Sequence, residues 1–262
     1  MKTYHSFFDF FPDLKNKKKP LIATHRGYGK KGPYPENCMI AFQKSDARGF
    51  YIHELDVRIT RDNIPLVFHG KNLTRTTSGS GILENKFYKE IQNLDWGYYL
   101  KEEKTHKKQP PLTLSDYLNK FGKKSYTNIE LKHDWYRLNY KLENSVLDIC
   151  RPDFEKKIFF SSFNILAIRY MKNKAPQVPT GLLVEPGVFM SLRILAGILV
   201  ARPDFIHLPL KGTSKNTIKI LQKKKYPIII WTVNKKEDYQ LLKSLGVTLV
   251  ITDNIEEFSN YL

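Results

Sequence analysis

Two pairs of charged residues in this chain have the spacing that places both side chains on one face of a β-strand. Glu54 and Asp56 are separated by a single residue in the β-prone run Tyr51–Val57. Glu130 and Lys132 are separated by a single residue at the end of a second run. Because successive side chains of a strand point to opposite faces, each pair projects from a single face. Crowded carboxylates repel unless a cation lies between them, and hard oxygen ligands suit Mg²⁺ or Ca²⁺. The pattern therefore predicts a divalent-cation site.

Two histidines stand at the ends of other apolar runs. His25, followed directly by Arg26, closes the first run, and His69 follows the run Ile64–Phe68. Taken alone, a histidine is usually an ordinary surface or capping residue, and an acidic pair can be part of a salt-bridged rim. Here acids, bases and cations together follow separate predicted strands, and a buried array of this kind needs metal or compensating charge. The combination indicates a catalytic site.

The elements that must position these residues alternate between strand-like and helix-like segments. This alternation predicts a parallel sheet with crossover helices. For 262 residues without a break in composition, we predict an α/β fold, a single-domain (β/α)8 TIM barrel over residues 20–262, preceded by an N-terminal extension over residues 1–19. Polar residues at the carboxyl ends of barrel strands face the catalytic mouth, which is where the histidines and acids would lie.

Two stretches do not fit a regular alternation. Too few residues join Val57 to Ile64 for a crossover helix, so this pair of runs is expected to form a hairpin or an irregular excursion at the barrel rim. The polar, glycine-containing stretch from Lys71 to Pro111 is expected to be a loop-rich insertion that carries short helices. Loops of this length in a compact domain are usually functional.

Composition limits the possible partners and locations. The chain has 43 Lys and Arg against 26 Asp and Glu, a net charge of +17, which attracts anions. The basic clusters lack the aromatic interleaving of RNA-binding strands and an evident recognition helix, so nucleic acid is not expected as a partner. Two cysteines and no secretory pattern at the start favour the reducing cytoplasm. No apolar stretch approaches the roughly 20 residues of a membrane span.

Two apolar segments lie outside the predicted site. We expect the aromatic-rich residues 5–14 to plug the bottom of the barrel or to pack on an outer helix, rather than to contact a membrane. Residues 189–200 are apolar on most sides, as in a helix packed between a strand and neighbouring helices. The alternative for this helix is peripheral contact with an anionic membrane surface.

Short motifs from residue 20 to about residue 255 resemble, in order, those of the glycerophosphodiester phosphodiesterase family. An ordered series is far more specific than any single block. The blocks are His25-Arg26-Gly27, Pro35-Glu36-Asn37, Glu54-Leu55-Asp56-Val57, Val67-Phe68-His69, Leu73-Thr74-Arg75-Thr76-Thr77, Asn128-Ile129-Glu130-Leu131-Lys132, Ser161-Ser162-Phe163, Trp231-Thr232-Val233-Asn234 and Ile251-Thr252-Asp253.

The resemblance implies a TIM barrel and a divalent cation, and the hydrolysis of small glycerophosphodiesters to sn-glycerol 3-phosphate and an alcohol. It assigns the metal to Glu54, Asp56 and Glu130. The acid and base pair would be His25 and His69. Substrate or phosphate would be bound by Arg26, Lys132 and Glu36, with Phe163 and Trp231 as apolar surfaces for the glycerol. Mg²⁺ and Ca²⁺ stay open as the metal, and water or a glycerol hydroxyl as the nucleophile.

One departure from the family pattern affects the site directly. The family usually has Asp after its second histidine, whereas Gly70 follows His69 here. The change either leaves His69 less well oriented or only relaxes a loop. Two alternatives therefore accompany the main interpretation: a lysophospholipase D-type enzyme on the same barrel, and a non-catalytic relative that binds anions or lipids. The oligomeric state is not indicated.

Overall fold

The computed structural model describes residues 6–17, 20–30, 32–103, 107–132 and 139–262. Within these residues the β-strands form one sheet, in which neighbours along the barrel wall follow the order β1-β9-β8-β7-β6-β5-β4-β2-β3. The strands are β1 (Leu21–His25), β2 (Ile52–Ile59), β3 (Pro65–Val67), β4 (Tyr126–Leu131), β5 (Ile158–Ser162), β6 (Thr180–Leu183), β7 (Phe205–Pro209), β8 (Ile228–Trp231) and β9 (Leu249–Thr252).

The sheet closes on itself because β1 pairs in parallel with both β9 and β2. All the strands except β3 run parallel, which confirms the predicted (β/α)8 barrel. Strand β3 pairs antiparallel with β2, with Val57 opposite Val67 and Ile59 opposite Pro65. The extra strand candidate is therefore the outer arm of a hairpin, as the short connection predicted.

Helices cover the outside of the barrel, and several of them begin at a residue whose side chain caps the first turn. The side chain of Thr113 accepts a hydrogen bond from the Asp116 amide at the start of one helix, and Asn164 caps another in the same way. The α-helices are α1 (Phe7–Phe10), α2 (Met39–Asp46), α3 (Tyr88–Ile91), α4 (Leu114–Phe121), α5 (Lys141–Cys150), α6 (Ile165–Lys174), α7 (Met190–Val200), α8 (Lys215–Lys223), α9 (Lys236–Ser244) and α10 (Ile255–Phe258).

The loop-rich insertion lies between β3 and α4 and has a small core of its own. Leu73, Leu83, Ile91 and Trp96 are buried in it and pack together with Phe68 at the end of β3. Short helical turns and α3 interrupt the loop. The insertion is thus a packed excursion beside the barrel mouth, directly after His69.

The N-terminal aromatic segment closes the opposite end of the barrel. Phe7 contacts Phe159 and Phe205, with ring centroids 6.0 Å and 4.9 Å away. Both partners lie near the amino-terminal ends of their strands, and Phe11 packs against Phe159 as well. This packing is the plug that the sequence suggested, and it leaves the carboxyl ends of the strands as the open mouth.

The apolar stretch 189–200 is not packed on most sides, so that expectation was wrong. Helix α7 lies on the outer surface of the barrel and buries Met190, Ile194 and Gly197, while Leu192 and Leu195 are exposed. A helix outside the sheet has only one face against the strands, and here the other face meets solvent. Among the described residues, no helix combines the length and the apolar character needed to cross a membrane.

Candidate active site

A cleft of about 270 Å³ opens at the carboxyl ends of the strands. All the predicted site residues except Glu36 and Asp56 line it. The lining residues are His25, Arg26, Lys30, Glu54, His69, Asn128, Glu130, Lys132, Phe163, Leu183, Glu185, Trp231, Thr232 and Ile251. Residues far apart in the sequence are therefore gathered at the predicted mouth.

Strand register brings the three predicted metal ligands together. Glu54 lies opposite His25 on β1, and Asp56 lies opposite Glu130 on β4. One carboxylate oxygen from each of Glu54, Asp56 and Glu130 lies within 4.8 Å of the others, and all three residues are buried. This donor set of hard oxygens fits a divalent cation.

The charges around this cluster are only partly balanced. Arg26 Nε lies 3.0 Å from Asp56 Oδ2 and Lys132 Nζ lies 3.0 Å from Asp56 Oδ1. Burial alone would raise the pKa of Asp56, but Arg26 and Lys132 hold it well below its usual range. Burial raises the pKa of Glu54 well above its usual range, and Asp56 and Glu130 raise it further. The residues thus favour an additional positive charge beside Glu54 and Glu130.

A tight turn after β1 points Arg26 back into the barrel. Arg26 and Gly27 have φ values of 55° and 88°, in the left-handed region. A Cβ on Gly27 would lie 2.8 Å from the Cβ of Ala41, so the turn requires glycine there. The Arg26 amide donates to Glu54 Oε2 at 3.1 Å, which ties this turn to the acidic cluster.

Glu36 lies behind the cleft wall rather than on it. Its carboxylate accepts from Arg26 Nη1 at 2.9 Å and also pairs with Arg75 Nη2. Asn37, from the same motif, donates from Nδ2 to Asp56 Oδ2 at 2.9 Å. Glu36 and Asn37 therefore hold the charged groups of the site in position. Asn37 had no predicted role, although it belongs to the Pro35-Glu36-Asn37 motif.

His25 is oriented by an acid that the sequence analysis quoted without a role. His25 Nδ1 lies 2.6 Å from Asp253 Oδ1, and its Nε2 lies 3.8 Å from Glu54 Oε2. Burial lowers the pKa of His25, and the hydrogen bond to Asp253 acts in the opposite direction. Asp253 directly follows β9. Its position at the carboxyl end of a strand is the sequence feature that could have identified it as a site residue.

His69 is held mainly through its backbone. Its Nδ1 is buried and has no hydrogen-bond partner among the described residues. Arg58 Nε donates to the His69 carbonyl oxygen at 3.1 Å, and Arg58 Nη1 pairs with Glu84 at 2.7 Å. Burial lowers the pKa of His69 to about 2, so the imidazole is neutral at pH 7. Arg58 on the hairpin therefore fixes the backbone at His69, where the family pattern has an Asp next in the chain and this chain has Gly70.

We expect Gly70→Asp to change kcat by less than about tenfold, because Arg58 already fixes the backbone of His69. A positioned base contributes at least about 10²-fold to the rate, so a base that became positioned only in the variant would give a larger increase. A Cβ at Gly70 would lie 3.1 Å from Arg75 Nε and 3.1 Å from Asn72 O, a tight fit that needs only small shifts. Steady-state kinetics on one diester checks this. An increase well beyond tenfold would show that His69 is poorly oriented in the natural chain.

Two aromatic residues form the apolar wall of the cleft. The rings of Phe163 and Trp231 meet edge to face with centroids 5.8 Å apart. Lys132 Nζ lies 5.8 Å from the centroid of the Phe163 ring. The wall thus combines apolar faces with a cation, next to the acidic cluster.

The fold and the cleft together define a TIM-barrel enzyme whose mouth suits an anionic substrate. A family model described as glycerophosphoryl diester phosphodiesterase family matches residues 25–257. A glycerophosphodiester phosphodiesterase of Caldanaerobacter subterraneus subsp. tengcongensis is 32% identical over 250 residues, 92% of this chain and 97% of the relative. Another, from Bacillus altitudinis, is 30% identical over 88% of this chain and 94% of the relative.

Solved structures share the fold. An Oleispira antarctica phosphodiesterase in complex with the product sn-glycerol-3-phosphate superposes with a TM-score of 0.80 at 23% identity, covering 92% of this chain and 96% of that one. The chain therefore belongs to the glycerophosphoryl diester phosphodiesterase family. It is a phosphoric diester hydrolase with glycerophosphodiester phosphodiesterase activity.

Proposed function

We propose that this enzyme hydrolyses small glycerophosphodiesters to sn-glycerol 3-phosphate and an alcohol, with a divalent cation held by Glu54, Asp56 and Glu130. The observation that carries the proposal is that this cluster of three acids lies at one small cleft, which two imidazoles and two cations also line. When bound, the cation would polarise a phosphoryl oxygen and stabilise the charge that develops on it.

Arg26 and Lys132 are the phosphate-binding residues in this proposal. Both line the cleft, Arg26 buried and Lys132 partly buried, and both pair with Asp56, which keeps their side chains in place. A fixed cation in a site shielded from water stabilises growing negative charge more strongly than a mobile one. Glu36 acts on the substrate through Arg26.

The two histidines have different surroundings, and we assign them different roles. His69 lines the cleft and has no hydrogen-bond partner at Nδ1 among the described residues, and we assign it as the base that removes a proton from the nucleophile. His25 is hydrogen-bonded to Asp253, which opposes the lowering of its pKa by burial and favours the protonated imidazole, so we assign it as the acid that protonates the leaving alkoxide.

We expect a preference for glycerol-containing diesters because Phe163 and Trp231 offer apolar faces to the glycerol carbons. The kcat/KM for glycerophosphocholine should exceed that for bis(p-nitrophenyl) phosphate by about 10-fold or more, since pocket contacts of this kind are worth roughly 10- to 200-fold. Trp231→Leu should reduce the ratio. Equal kcat/KM on the two substrates would contradict a glycerol-binding wall.

The proposal is tested by measuring choline and sn-glycerol 3-phosphate released from glycerophosphocholine, with and without EDTA. We expect equimolar products, with no turnover in EDTA and recovery when Mg²⁺ or Ca²⁺ is restored. Lysophosphatidylcholine serves as the comparison substrate. Faster turnover of that lipid would favour the lysophospholipase D-type alternative, and binding of both substrates without turnover would favour a non-catalytic relative.

A further inference from the structure

Helix α7 presents a continuous apolar surface to solvent. Val188 is 98% exposed and Leu199 is 66% exposed, and the residues between them at helical spacing are exposed as well. We call this surface the α7 face. Its members are Val188, Phe189, Leu192, Leu195, Leu199 and Val200. Contiguous exposed apolar surface of this kind marks an interaction site.

The opposite side of α7 is firmly packed, so the helix cannot rotate to hide the α7 face. Met190, Ile194 and Gly197 are buried against the barrel. A Cβ on Gly197 would lie 2.1 Å from Leu182 Cδ2, which shows how closely the helix approaches β6. The exposed apolar residues are therefore a fixed property of this fold.

Basic residues flank the mouth end of the α7 face. The exposed residue Lys211 belongs to the connection between β7 and α8, and the exposed residue Lys215 is the first residue of α8. This connection lies beside the one that leads into α7, since a Cβ on Gly212 would lie 4.0 Å from the Cβ of Pro186. The surface therefore combines apolar side chains with neighbouring positive charge. Arg193 on the helix pairs with Glu185 at 2.8 Å.

We propose that the α7 face binds the surface of an anionic phospholipid bilayer. The whole chain carries a net charge of +17, so an anionic surface attracts it, whereas a second copy of the same chain would be repelled. The helix has 11 residues, about 16 Å, and so lies in the plane of the interface with its apolar residues among the head groups and upper acyl chains.

Docking by this face sets the position of the active-site cleft. Val188 and Phe189 follow β6 closely, at the same end of the barrel as His25 and Glu54. The bound enzyme therefore holds the rim of its mouth beside the lipid head groups. This inference concerns binding alone and does not depend on the proposed reaction.

The experiment measures sedimentation of the full chain with sucrose-loaded vesicles of phosphatidylcholine containing phosphatidylglycerol, and with vesicles of phosphatidylcholine alone. We expect binding to the anionic vesicles that weakens as salt is raised, because salt screens the charges. The double change Leu192→Ser and Leu195→Ser should lower the partition coefficient by about tenfold or more. Lys211→Gln with Lys215→Gln should lower it roughly 10- to 30-fold.

The matched control for Leu195→Ser is Leu241→Ser, which makes the same change on a different helix. The two leucines have similar exposure, 53% for Leu195 on α7 and 42% for Leu241 on α9. Leu241→Ser should bind vesicles like the natural chain, and all variants should keep its turnover of a soluble diester. Equal binding to both kinds of vesicle, or undiminished binding of the α7 double variant, would overturn the proposal. So would a dimer in size-exclusion chromatography that the double variant abolishes, because a second copy would then cover the face.

Discussion

Replacement of His25 by alanine is expected to lower kcat by between about 10²- and 10⁴-fold, the usual contribution of a positioned acid or base. The imidazole lies in the cleft and is hydrogen-bonded to Asp253 at 2.6 Å, which fixes its orientation there. His69→Ala should cost a comparable amount. Steady-state kinetics on glycerophosphocholine measures both losses, with thermal unfolding as the check that each variant folds.

Asp253→Asn separates positioning from direct catalysis. The amide keeps the size of the side chain but removes the charge that stabilises protonated His25, so the pKa of His25 falls further. If His25 is the acid, turnover decreases as pH rises through that pKa, and the alkaline limb of the kcat profile should move to lower pH in this variant. A merely structural role for Asp253 would leave the profile in place.

One pair of results would contradict the two-histidine mechanism. If His69→Ala keeps the turnover of the natural chain while His25→Ala is inactive, the mechanism with two histidines is wrong for this enzyme. A group other than His69 would then accept the proton of the nucleophile.

Glu54→Gln is expected to abolish metal-dependent turnover, with a loss of about 10²-fold or more. A metal supplies several kcal/mol of charge stabilisation, and each 1.4 kcal/mol corresponds to about tenfold in rate. Burial already raises the pKa of Glu54 well above its usual range, so a neutral amide should be tolerated in the metal-free protein. Asp56→Asn is a less clean test, because it removes a charge paired with Arg26 and Lys132 in the interior.

Thermal unfolding provides a readout of metal binding that is independent of activity. The natural chain should unfold at a higher temperature when Mg²⁺ or Ca²⁺ is added, because a ligand that binds only the folded state stabilises it. Glu54→Gln should lose this shift. Glu143→Gln, a buried glutamate of α5 outside the site, is the matched control and should keep it. A full metal-induced shift in Glu54→Gln would remove Glu54 from the proposed ligand set.

The local sequence pattern was sufficient to predict the barrel and the position of its mouth. The alternation of strand-like and helix-like segments predicted the parallel barrel because each strand must be covered by a crossover helix. Strand β4 (Tyr126–Leu131) and helix α4 (Leu114–Phe121) are two segments of this alternation. Both elements are bounded by clear changes in polarity. The short connection after β2 excluded a crossover helix and left a hairpin or an irregular excursion, and the pairing of β2 with β3 shows that the hairpin forms.

Contacts between distant segments were not accessible in the same way. Asp253 lies 228 residues after His25 in the chain, and only closure of the barrel between β9 and β1 brings the two together. The support of His69 by Arg58 depends on the register of β2 with β3, and register is not encoded in the spacing of either strand alone. The position of Glu36 behind the cleft wall could not be predicted either, because its carboxylate pairs with Arg75 from the loop insertion.

The sequence by itself determined which side chains share a strand face, and hence that Glu54 and Asp56 project from the same face of β2, because the alternation of side chains along a strand is a local property of the backbone. Only the tertiary structure decided that Glu130 lies opposite Asp56 and that the apolar side of α7 faces solvent. These outcomes depend on strand pairing and on which face of a helix meets the barrel. Both are set by packing between segments that are distant in the chain.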